Sequence, residues 1–203
     1  MTNLKYTINF FGYWHCGCGL AAGADVDELV LKDRNNLPYI PGKTIKGLLR
    51  ENIEDYFTFL GTDVPSDFVE VFGNSEDRNH KKYDKQKDNR YELIVQGKSF
   101  FKNATLPIDV SNTIKGCHAE DFMIKEIAST AIQESTGTAK KNTLRKIEVV
   151  VPCTLEGEII NIPNAFVPYV EIGFKLIKRL GENRNRGLGR CSFNNFKTEV
   201  YEN

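Results

Sequence analysis

The stretch 38–50, PYIPGKTIKGLLR, constrains the fold of this chain more than any other. Its Pro-Gly pair at 41–42 predicts a turn, because proline fixes φ and glycine relieves the backbone. Apolar residues then recur at three- and four-residue steps as far as position 60, which predicts an amphipathic helix of about four turns. The hydroxyl of Thr44 is a candidate N-cap for this helix.

Cations crowd the start of this helix, where the helix dipole disfavours them. Lys43, Lys46 and Arg50 lie in or near the first two turns, close to backbone N–H groups that have no partner within the helix. An anion bound behind the glycine turn would explain these cations. The alternative is a solvated basic face beside the acidic stretch 51–55.

A second stretch, 181–190, reads GENRNRGLGR and places three glycines among three arginines. Such a loop exposes backbone N–H groups and lets a phosphodiester approach closely. Its glycine spacing is not that of a dinucleotide-binding fingerprint, and it lacks the Gly-Lys-Ser/Thr of a Walker loop. The alternative is a flexible arginine-rich turn.

The composition excludes nucleic-acid binding through bulk charge. Lys+Arg and Asp+Glu both number 27, so the net charge is zero and only the distribution of charge can favour RNA. With 203 residues, 40% of them hydrophobic, the chain can form one domain with a substantial core. We find no signal peptide and no apolar run of 18 residues, so we expect a cytoplasmic protein without a membrane segment.

The five cysteines predict reduced thiols, because their number is odd and their spacing is not that of a disulfide framework. Two short stretches offer metal-ligand types, namely His15, Cys16, Cys18, Cys117 and His118. Their spacing matches no common zinc pattern. Zinc is therefore disfavoured, and buried cysteines with a loop histidine are the preferred interpretation.

The order of elements predicts the fold class. The predicted elements are strands at 4–10, 91–95, 99–105, 147–151, 154–162 and 190–201, and helices at 44–60, 122–131 and 165–180. This is a β-α-β-β-α-β order with insertions, which predicts an α+β, ferredoxin-like (RRM-like) palm with helices on one face of an antiparallel sheet. The chain has no RNP-type aromatic motif, so we do not expect the sheet to read bases.

Three insertions are expected within this single domain, 1–203. The first, 12–40, contains aspartates, the second, 74–90, is a polar loop, and the third, 106–146, is a thumb-like hairpin. Carboxylates beside an RNA groove are costly unless they recruit a divalent ion or activate a nucleophile. The alternative for these aspartates is turn and cap chemistry.

With these stretches in place, the chain resembles the repeat-associated mysterious protein (RAMP) superfamily of CRISPR systems. Four stretches resemble family motifs in the right order, namely the helix entry at 39–47, the Phe-Gly element at 71–73, the thumb and return strand at 132–152, and the glycine-rich loop at 181–190. The resemblance spans nearly the whole chain. The family's paired serines are Lys43 and Thr44 here, and Thr44 keeps a hydroxyl.

Within the superfamily, the segment 27–33, DELVLKD, resembles the backbone subunit that polymerises along guide RNA in type III effector complexes. That resemblance implies metal-dependent cleavage of complementary target RNA, and assembly with copies of itself and other type III subunits in a prokaryotic cytoplasm. It identifies Asp27 as the cleaving aspartate, with Asp25 as the alternative. It also implies a divalent ion, expected to be Mg²⁺, which Asp27 would hold together with Asp25.

The resemblance and the placement of cations together predict the RNA-binding residues, which would hold the guide by its phosphates whatever its sequence. These residues are Gly42, Lys43, Thr44, Lys46, Arg50, Thr136, Lys140, Lys141, Arg184, Asn185, Arg186, Gly187, Gly189 and Arg190. Three alternatives remain open. They are a non-cleaving scaffold of the same family, a metal-independent guide-processing endoribonuclease with His15 as general base, and an unrelated interaction domain.

Overall fold

The computed structural model of this chain describes residues 1–21, 26–74 and 95–200. Asp25 lies outside the described residues. So do almost all of the expected polar loop at 74–90 and all but the last residue of the expected strand at 91–95.

The described residues form a four-stranded sheet, a separate hairpin and four α-helices. In chain order the elements are β1 (Thr2–Phe10), α1 (Gly42–Leu60), α2 (Asp67–Phe72), β2 (Phe100–Phe101), α3 (Ile108–Gly116), β3 (Ile124–Ser129), β4 (Arg145–Val150), β5 (Thr154–Ile162), α4 (Val167–Leu176) and β6 (Cys191–Val200). Short 3-10 turns occur at Glu120–Met123, Asn164–Phe166 and Arg184–Arg186.

The strand order confirms the predicted ferredoxin-like fold. The sheet runs β2-β5-β1-β6, and β3 and β4 form a separate two-stranded sheet. The central strand β1 is antiparallel to both neighbours, with Ile8 opposite Leu155 of β5 and Phe193 of β6. The two long helices follow β1 and β5 and contact each other. This is the β-α-β-β-α-β arrangement, with the β3–β4 hairpin inserted before the third core strand.

The core lies between the sheet and the two helices α1 and α4. As its alternation predicts, β1 buries every second residue, and α1 buries one face, as its three- and four-residue spacing predicts. Phe174 of α4 joins the layers, because its ring centroid lies 4.5 Å from that of Tyr6 and 4.6 Å from that of Phe193. The buried residues of the two elements include Leu4, Tyr6, Ile8 and Phe10 in β1, and Ile45, Leu49, Ile53 and Phe57 in α1.

The start of α1 differs from the prediction. The helix begins at Gly42 and Pro41 is its N-cap, so Thr44 lies inside the first turn and does not cap it. The N–H of Gly42 donates to Asn103 Oδ1 over 3.0 Å. A Cβ on residue 42 would lie 1.9 Å from the carbonyl oxygen of Phe101, so this close approach requires glycine. The chain therefore enters the helix directly after the proline.

The predicted helix at 122–131 is wrong. After the 3-10 turn Glu120–Met123 the chain forms β3, in which Ile127 lies opposite Ile147 of β4. A short apolar pattern does not distinguish a strand from a helix, and here a partner strand is available. The helix α3 was not predicted at all.

Other boundaries are shorter than predicted. The strand expected at 99–105 is reduced to Phe100–Phe101. The helix expected at 165–180 begins with a 3-10 turn and ends at Leu176. Ile177 is extended but remains buried, as does Leu180, so these residues fill the core without being helical. Among the described residues, none of the helices has the length and apolar character needed to span a bilayer.

We predict that alanine at Gly173 destabilises the protein relative to alanine at Gly47. Both glycines are helical, so each substitution gains about 1 kcal/mol of helix propensity. A Cβ on residue 173 would lie 2.7 Å from Ile53 Cγ1 and 2.8 Å from Leu49 Cδ1. A Cβ on residue 47 would have no neighbouring atom within 4 Å. In urea unfolding, the free energy of unfolding of the Gly173→Ala protein should be about 1–3 kcal/mol lower than that of the Gly47→Ala protein. Equal free energies of unfolding would contradict this packing of α1 on α4.

Candidate nucleic-acid interface

The segment that contains Asp27 is attached to the beginning of β4. The N–H of Asp27 donates to the carbonyl of Lys146 over 2.8 Å, and the N–H of Glu148 donates to the carbonyl of Glu28 over 3.0 Å. Glu28 also forms a parallel bridge with Ile147. The segment therefore continues the β3–β4 hairpin as a short third strand. Asp27 lies at the end of the hairpin's two strands where Ser129 pairs with Arg145 and from which residues 130–144 project, and this end is called the base of the hairpin.

The carboxylate of Asp27 is exposed and has a fixed orientation. Its Oδ2 accepts the N–H of Lys146 over 2.8 Å, and Oδ1 accepts no hydrogen bond from a described residue. Mg²⁺ usually keeps several waters and binds through one or two carboxylates plus substrate phosphates. Asp27 thus fits the role of a protein ligand whose ion is completed by water and phosphate. Asp25, the predicted alternative, lies outside the described residues.

Glu148 of β4 holds the same segment from the other side. Its Oε2 accepts the N–H of Val30 over 2.9 Å, and its Oε1 lies 2.9 Å from Lys32 Nζ. The side chain is only 14% exposed, so both interactions are largely removed from water. The sequence did not single out Glu148, because in a strand pattern it has the character of a solvent-facing residue.

The glycine- and arginine-rich loop, 181–190, docks on the chain that follows β1. The N–H of Glu182 donates to His15 O, and the N–H of Gly189 donates to Tyr13 O, each over 2.8 Å. Gly181 and Gly189 have φ angles of +98° and +72°. A Cβ would lie 2.2 Å from His15 O at Gly181. These two glycines are therefore required by close approach as well as by backbone conformation.

Docking leaves the middle of the loop exposed. Arg184, Asn185, Arg186 and Gly187 face solvent, whereas Leu188 and Gly189 are buried. A guanidinium nitrogen of Arg179 donates to the carbonyl of Arg184 and so stabilises the 3-10 turn Arg184–Arg186. Outside the loop's middle, Arg190 is also exposed, and its guanidinium lies 6.0 Å from the ring centroid of Phe11.

A cleft of about 150 Å³ joins the loop to the hairpin and the aspartate segment. Arg186 and Asn183 line it from the loop, and Arg145 and Ser129 line it from the base of the hairpin. Glu28, the neighbour of Asp27, lines it from the aspartate segment. The structure thus brings together three of the regions that the sequence marked for function.

The start of α1 provides fewer free cations than predicted. Lys43 is exposed, but Lys46 is half-buried, with Nζ 5.8 Å from the ring centroid of Phe101. Burial, with a smaller effect of the Arg50 charge, lowers the pKa of Lys46. Arg50 pairs with Glu54 over 2.9 Å. Arg50 is therefore engaged within the protein.

Cys16 links the start of α1 to the glycine- and arginine-rich loop. Burial, with a smaller effect of the Glu182 charge, raises the pKa of its thiol to about 11, and the charge of Lys43 opposes this rise. Both Lys43 and Glu182 therefore lie near enough to Cys16 for their charges to affect it.

The tip of the hairpin, 130–144, projects from the body. Nearly all of its residues are exposed, including Thr136, Lys140 and Lys141. Its hydrogen bonds with described residues are internal to the hairpin, such as that from the N–H of Gln133 to Thr138 O over 2.8 Å. The structure therefore places these three predicted RNA-binding residues apart from the cleft.

The position of His15 argues against its role as a general base. The side chain is fully buried, and Nδ1 lies 2.6 Å from the carbonyl oxygen of Glu148. A general base must reach the proton that it removes. Within the described parts of the chain, the metal-ligand type side chains that come together as a group of three include His15 but no cysteine.

A comparison with protein-family models matches residues 7–192 to the family described as the RAMP superfamily. This chain belongs to the RAMP superfamily. The match confirms the resemblance that the sequence motifs predicted, and it extends from β1 into β6.

This RAMP chain is similar to one named CRISPR protein in sequence and to chains of a CRISPR complex in structure. It is 26% identical over 195 residues to the Streptococcus thermophilus protein named CRISPR system Cms endoribonuclease Csm3, covering 90% of this chain and 82% of that protein. It matches chains in cryo-EM structures of the type III-B Cmr-beta complex, one bound to cognate target RNA and one in the apo state, each with a TM-score of 0.66 and 10% identity. These matches cover 94% and 95% of this chain and 96% of each matched chain. At this identity the structural likeness concerns the fold.

We predict that thiol reagents distinguish the cysteines of the folded protein. Burial raises the pKa of Cys16 and Cys153 to about 11 and that of Cys191 to about 12. At pH 8 roughly one in a thousand of the thiols of Cys16 and Cys153 is ionised, and roughly one in ten thousand of the Cys191 thiols. Cys117, which is exposed, should therefore react first, and reaction of the other three should accelerate as the pH rises.

Mass spectrometry of the labelled peptides measures this order. Cys117→Ser should remove the fast phase, and all five thiols should react in denaturant. Rapid labelling of Cys16 at pH 8 would contradict the assignment of a neutral, buried thiol and would restore Cys16 as a candidate metal ligand.

Proposed function

We propose that this RAMP chain is a backbone subunit of a type III CRISPR effector complex. It binds guide RNA along the phosphate backbone, lines up with copies of itself along that RNA, and cleaves complementary target RNA in the cytoplasm of a prokaryotic cell. The observation that carries this proposal is the exposed carboxylate of Asp27, fixed by Lys146 beside an arginine-lined cleft. The family membership and the relative named as an endoribonuclease support it.

Guide RNA is held by the surface that joins the start of α1 to loop 181–190. Exposed cations there, Lys43, Arg184 and Arg186, neutralise phosphates, and Gly187, which faces solvent, lets the RNA backbone approach the loop closely. Contacts of this type do not depend on base sequence, as a subunit that accepts any guide requires. Lys46 and Thr44 extend the same surface along α1.

Target RNA lies across the base of the hairpin. Arg145 and Lys146 are the first two residues of β4, and the backbone of Lys146 holds Asp27, so a phosphate placed there lies near cationic side chains as well as the carboxylate. The projecting tip, with Thr136 and Lys140, inserts into the guide–target duplex and displaces a nucleotide. This displacement orients a 2′-hydroxyl toward the neighbouring phosphorus, and such alignment supplies much of the rate in intramolecular reactions.

Asp27 also fits as the protein ligand of a Mg²⁺ ion. When bound, the ion would neutralise charge on the scissile phosphate. The carboxylate's own contribution is a negatively charged oxygen, Oδ1, held at a defined place by the bond from Lys146 to Oδ2. Asp27 is not part of a larger group of metal-ligand side chains in the described residues. A scaffold that binds RNA without cutting it is therefore the second candidate function.

We predict that Asp27→Asn abolishes cleavage and preserves RNA binding. Asparagine keeps an oxygen to accept the Lys146 N–H but removes the charge. Loss of a charged group of this kind should lower the cleavage rate by about 100-fold or more. The measurement uses the complex reconstituted with guide RNA and partner subunits, a labelled complementary target, and Mg²⁺ or EDTA.

Asp63→Asn is the matched control, because Asp63 is exposed in the loop after α1. It should leave cleavage unchanged. Undiminished cutting by Asp27→Asn would remove Asp27 from the catalytic role, and tight target binding without any cutting by the unmodified protein would favour the scaffold.

We predict that the double substitution Arg184→Ala and Arg186→Ala weakens single-stranded RNA binding equally for all sequences. Removing two phosphate contacts should reduce the slope of log Kd against log salt by about 1.4. Filter binding between low and moderate salt measures this slope. The control is Lys98→Ala with Lys197→Ala, which removes the same charge elsewhere and should leave the slope unchanged. A sequence-selective loss would contradict phosphate binding.

A further inference from the structure

We propose that His15, Glu28 and Glu182 form a binding site for a divalent first-row transition ion of the Zn²⁺ or Mn²⁺ class. The three side chains come from three separated parts of the chain, namely the loop after β1, the aspartate segment and loop 181–190. This site is distinct from the proposed Mg²⁺ position at Asp27, and its argument does not depend on RNA cleavage.

The donor atoms are spaced for a single ion. One ligand atom from each residue lies within 4.8 Å of the other two, and His15 Nε2 is 3.9 Å from Glu28 Oε2. A tetrahedral ion with bonds of about 2.1 Å separates its ligands by about 3.4 Å. Small side-chain rotations therefore close the site around an ion. Glu182 is exposed and can make the largest of these movements.

The hydrogen bonding of His15 directs a lone pair into the cluster. Its Nδ1 lies 2.6 Å from Glu148 O, and because a carbonyl only accepts, Nδ1 is the protonated nitrogen. In the neutral ring, Nε2 then presents its lone pair. The side chain is fully buried, and Nε2 has no hydrogen-bond partner among the described residues. A histidine fixed through its other nitrogen in this way is typical of metal ligands.

The atoms that face Nε2 are acceptors as well. Glu28 Oε2 is buried and has no hydrogen-bond partner in the described parts of the chain. Glu182 adds a second carboxylate. Three acceptor groups directed at one point are mutually repulsive unless a cation lies between them. A metal ion can bind all three groups at once and so remove the repulsion among them, whereas a proton can be shared by only two of them.

Gly17 provides the space for the ion. A Cβ on this residue would lie 2.6 Å from Glu182 Oε1 and 3.0 Å from His15 Nε2. The backbone of Gly17 bridges to Val30, so its position relative to the cluster is fixed. Its φ angle lies outside the left-handed region, so backbone conformation does not demand glycine here. The absent side chain therefore opens the volume that borders the donor atoms.

The donor set selects the class of ion. One imidazole and two carboxylates suit Zn²⁺ and Mn²⁺, whereas Mg²⁺ prefers oxygen ligands alone. Successive side chains of an extended segment point to opposite sides, so Glu28 turns toward the cluster while Asp27 turns toward solvent. The ion would thus bind behind the cleavage position. It would hold the aspartate segment and loop 181–190 together without contacting target RNA.

Metal titration of the EDTA-treated and dialysed protein tests the site without RNA. Co²⁺ should bind with one-to-one stoichiometry and give visible d–d absorption. Zn²⁺ should displace it, and Mn²⁺, which binds such donors more weakly than Co²⁺, should displace it only when present in large excess. At about 100 times Kd, each ion should raise Tm on the order of 5–10 °C. Mg²⁺ at the same concentration should neither displace Co²⁺ nor raise Tm comparably.

Two variants separate a lost site from a lost fold. Glu182→Gln alters an exposed side chain, and Gly17→Ala keeps every donor atom while filling the space beside Nε2. Both should keep the Tm of the metal-free protein within a few degrees and lose the Co²⁺ spectrum, whereas Asp27→Asn should retain that spectrum. Binding that persists in both variants, or absence of Co²⁺, Zn²⁺ and Mn²⁺ binding to the unmodified protein, would overturn the proposal and leave a proton as the occupant.

Discussion

The geometry of the candidate interface depends on Glu148. Its backbone N–H donates to Glu28 O, its carbonyl accepts from His15 Nδ1, and its carboxylate accepts from Val30 N–H and Lys32 Nζ. One residue of β4 therefore joins the loop after β1, the aspartate segment and the hairpin. Because the Glu148 side chain is mostly buried, its loss would leave two donors, Val30 N–H and Lys32 Nζ, without this partner, at a cost of about 1–3 kcal/mol for each. Asp27 bonds to Lys146, which lies two residues before Glu148 in β4, so the same set of bonds positions Asp27.

A chain of zero net charge can present a basic surface because ion pairs are distributed unevenly. Glu54, Glu70, Glu148 and Glu158 each pair with a cation, at distances of 2.6–2.9 Å. By contrast, no ion pair within the described ranges involves the exposed arginines of loop 181–190. The glycines of that loop are needed for its docking, which holds its backbone in place while its arginines project. Local charge, rather than total charge, is therefore what the fold offers to a phosphate backbone.

The sequence predicted what is periodic or local and missed what is assembled from distant residues. Alternation in β1 and the spacing in α1 determine which faces are buried, so the ferredoxin-like order followed from pattern alone. The stretch 122–131 was assigned to a helix because its apolar spacing fits both structures and only the partner strand decides. Phosphate binding by Arg50 stays a prediction, and the structure adds that Glu54, one turn away, pairs with it. The cluster of His15, Glu28 and Glu182 spans most of the chain, and no local pattern indicates it.

We propose that guide RNA lies on α1 and loop 181–190 while target RNA lies at the base of the hairpin. Ultraviolet cross-linking of the assembled complex, with guide and target labelled differently and the cross-linked peptides identified by mass spectrometry, tests this directly. We expect guide cross-links in peptides that contain Lys43 and 184–190, and target cross-links in peptides that contain 136–146. Cross-links concentrated on the open face of the sheet, around Lys102 and Lys197, would contradict this placement of the two RNA strands and indicate that the sheet itself binds RNA.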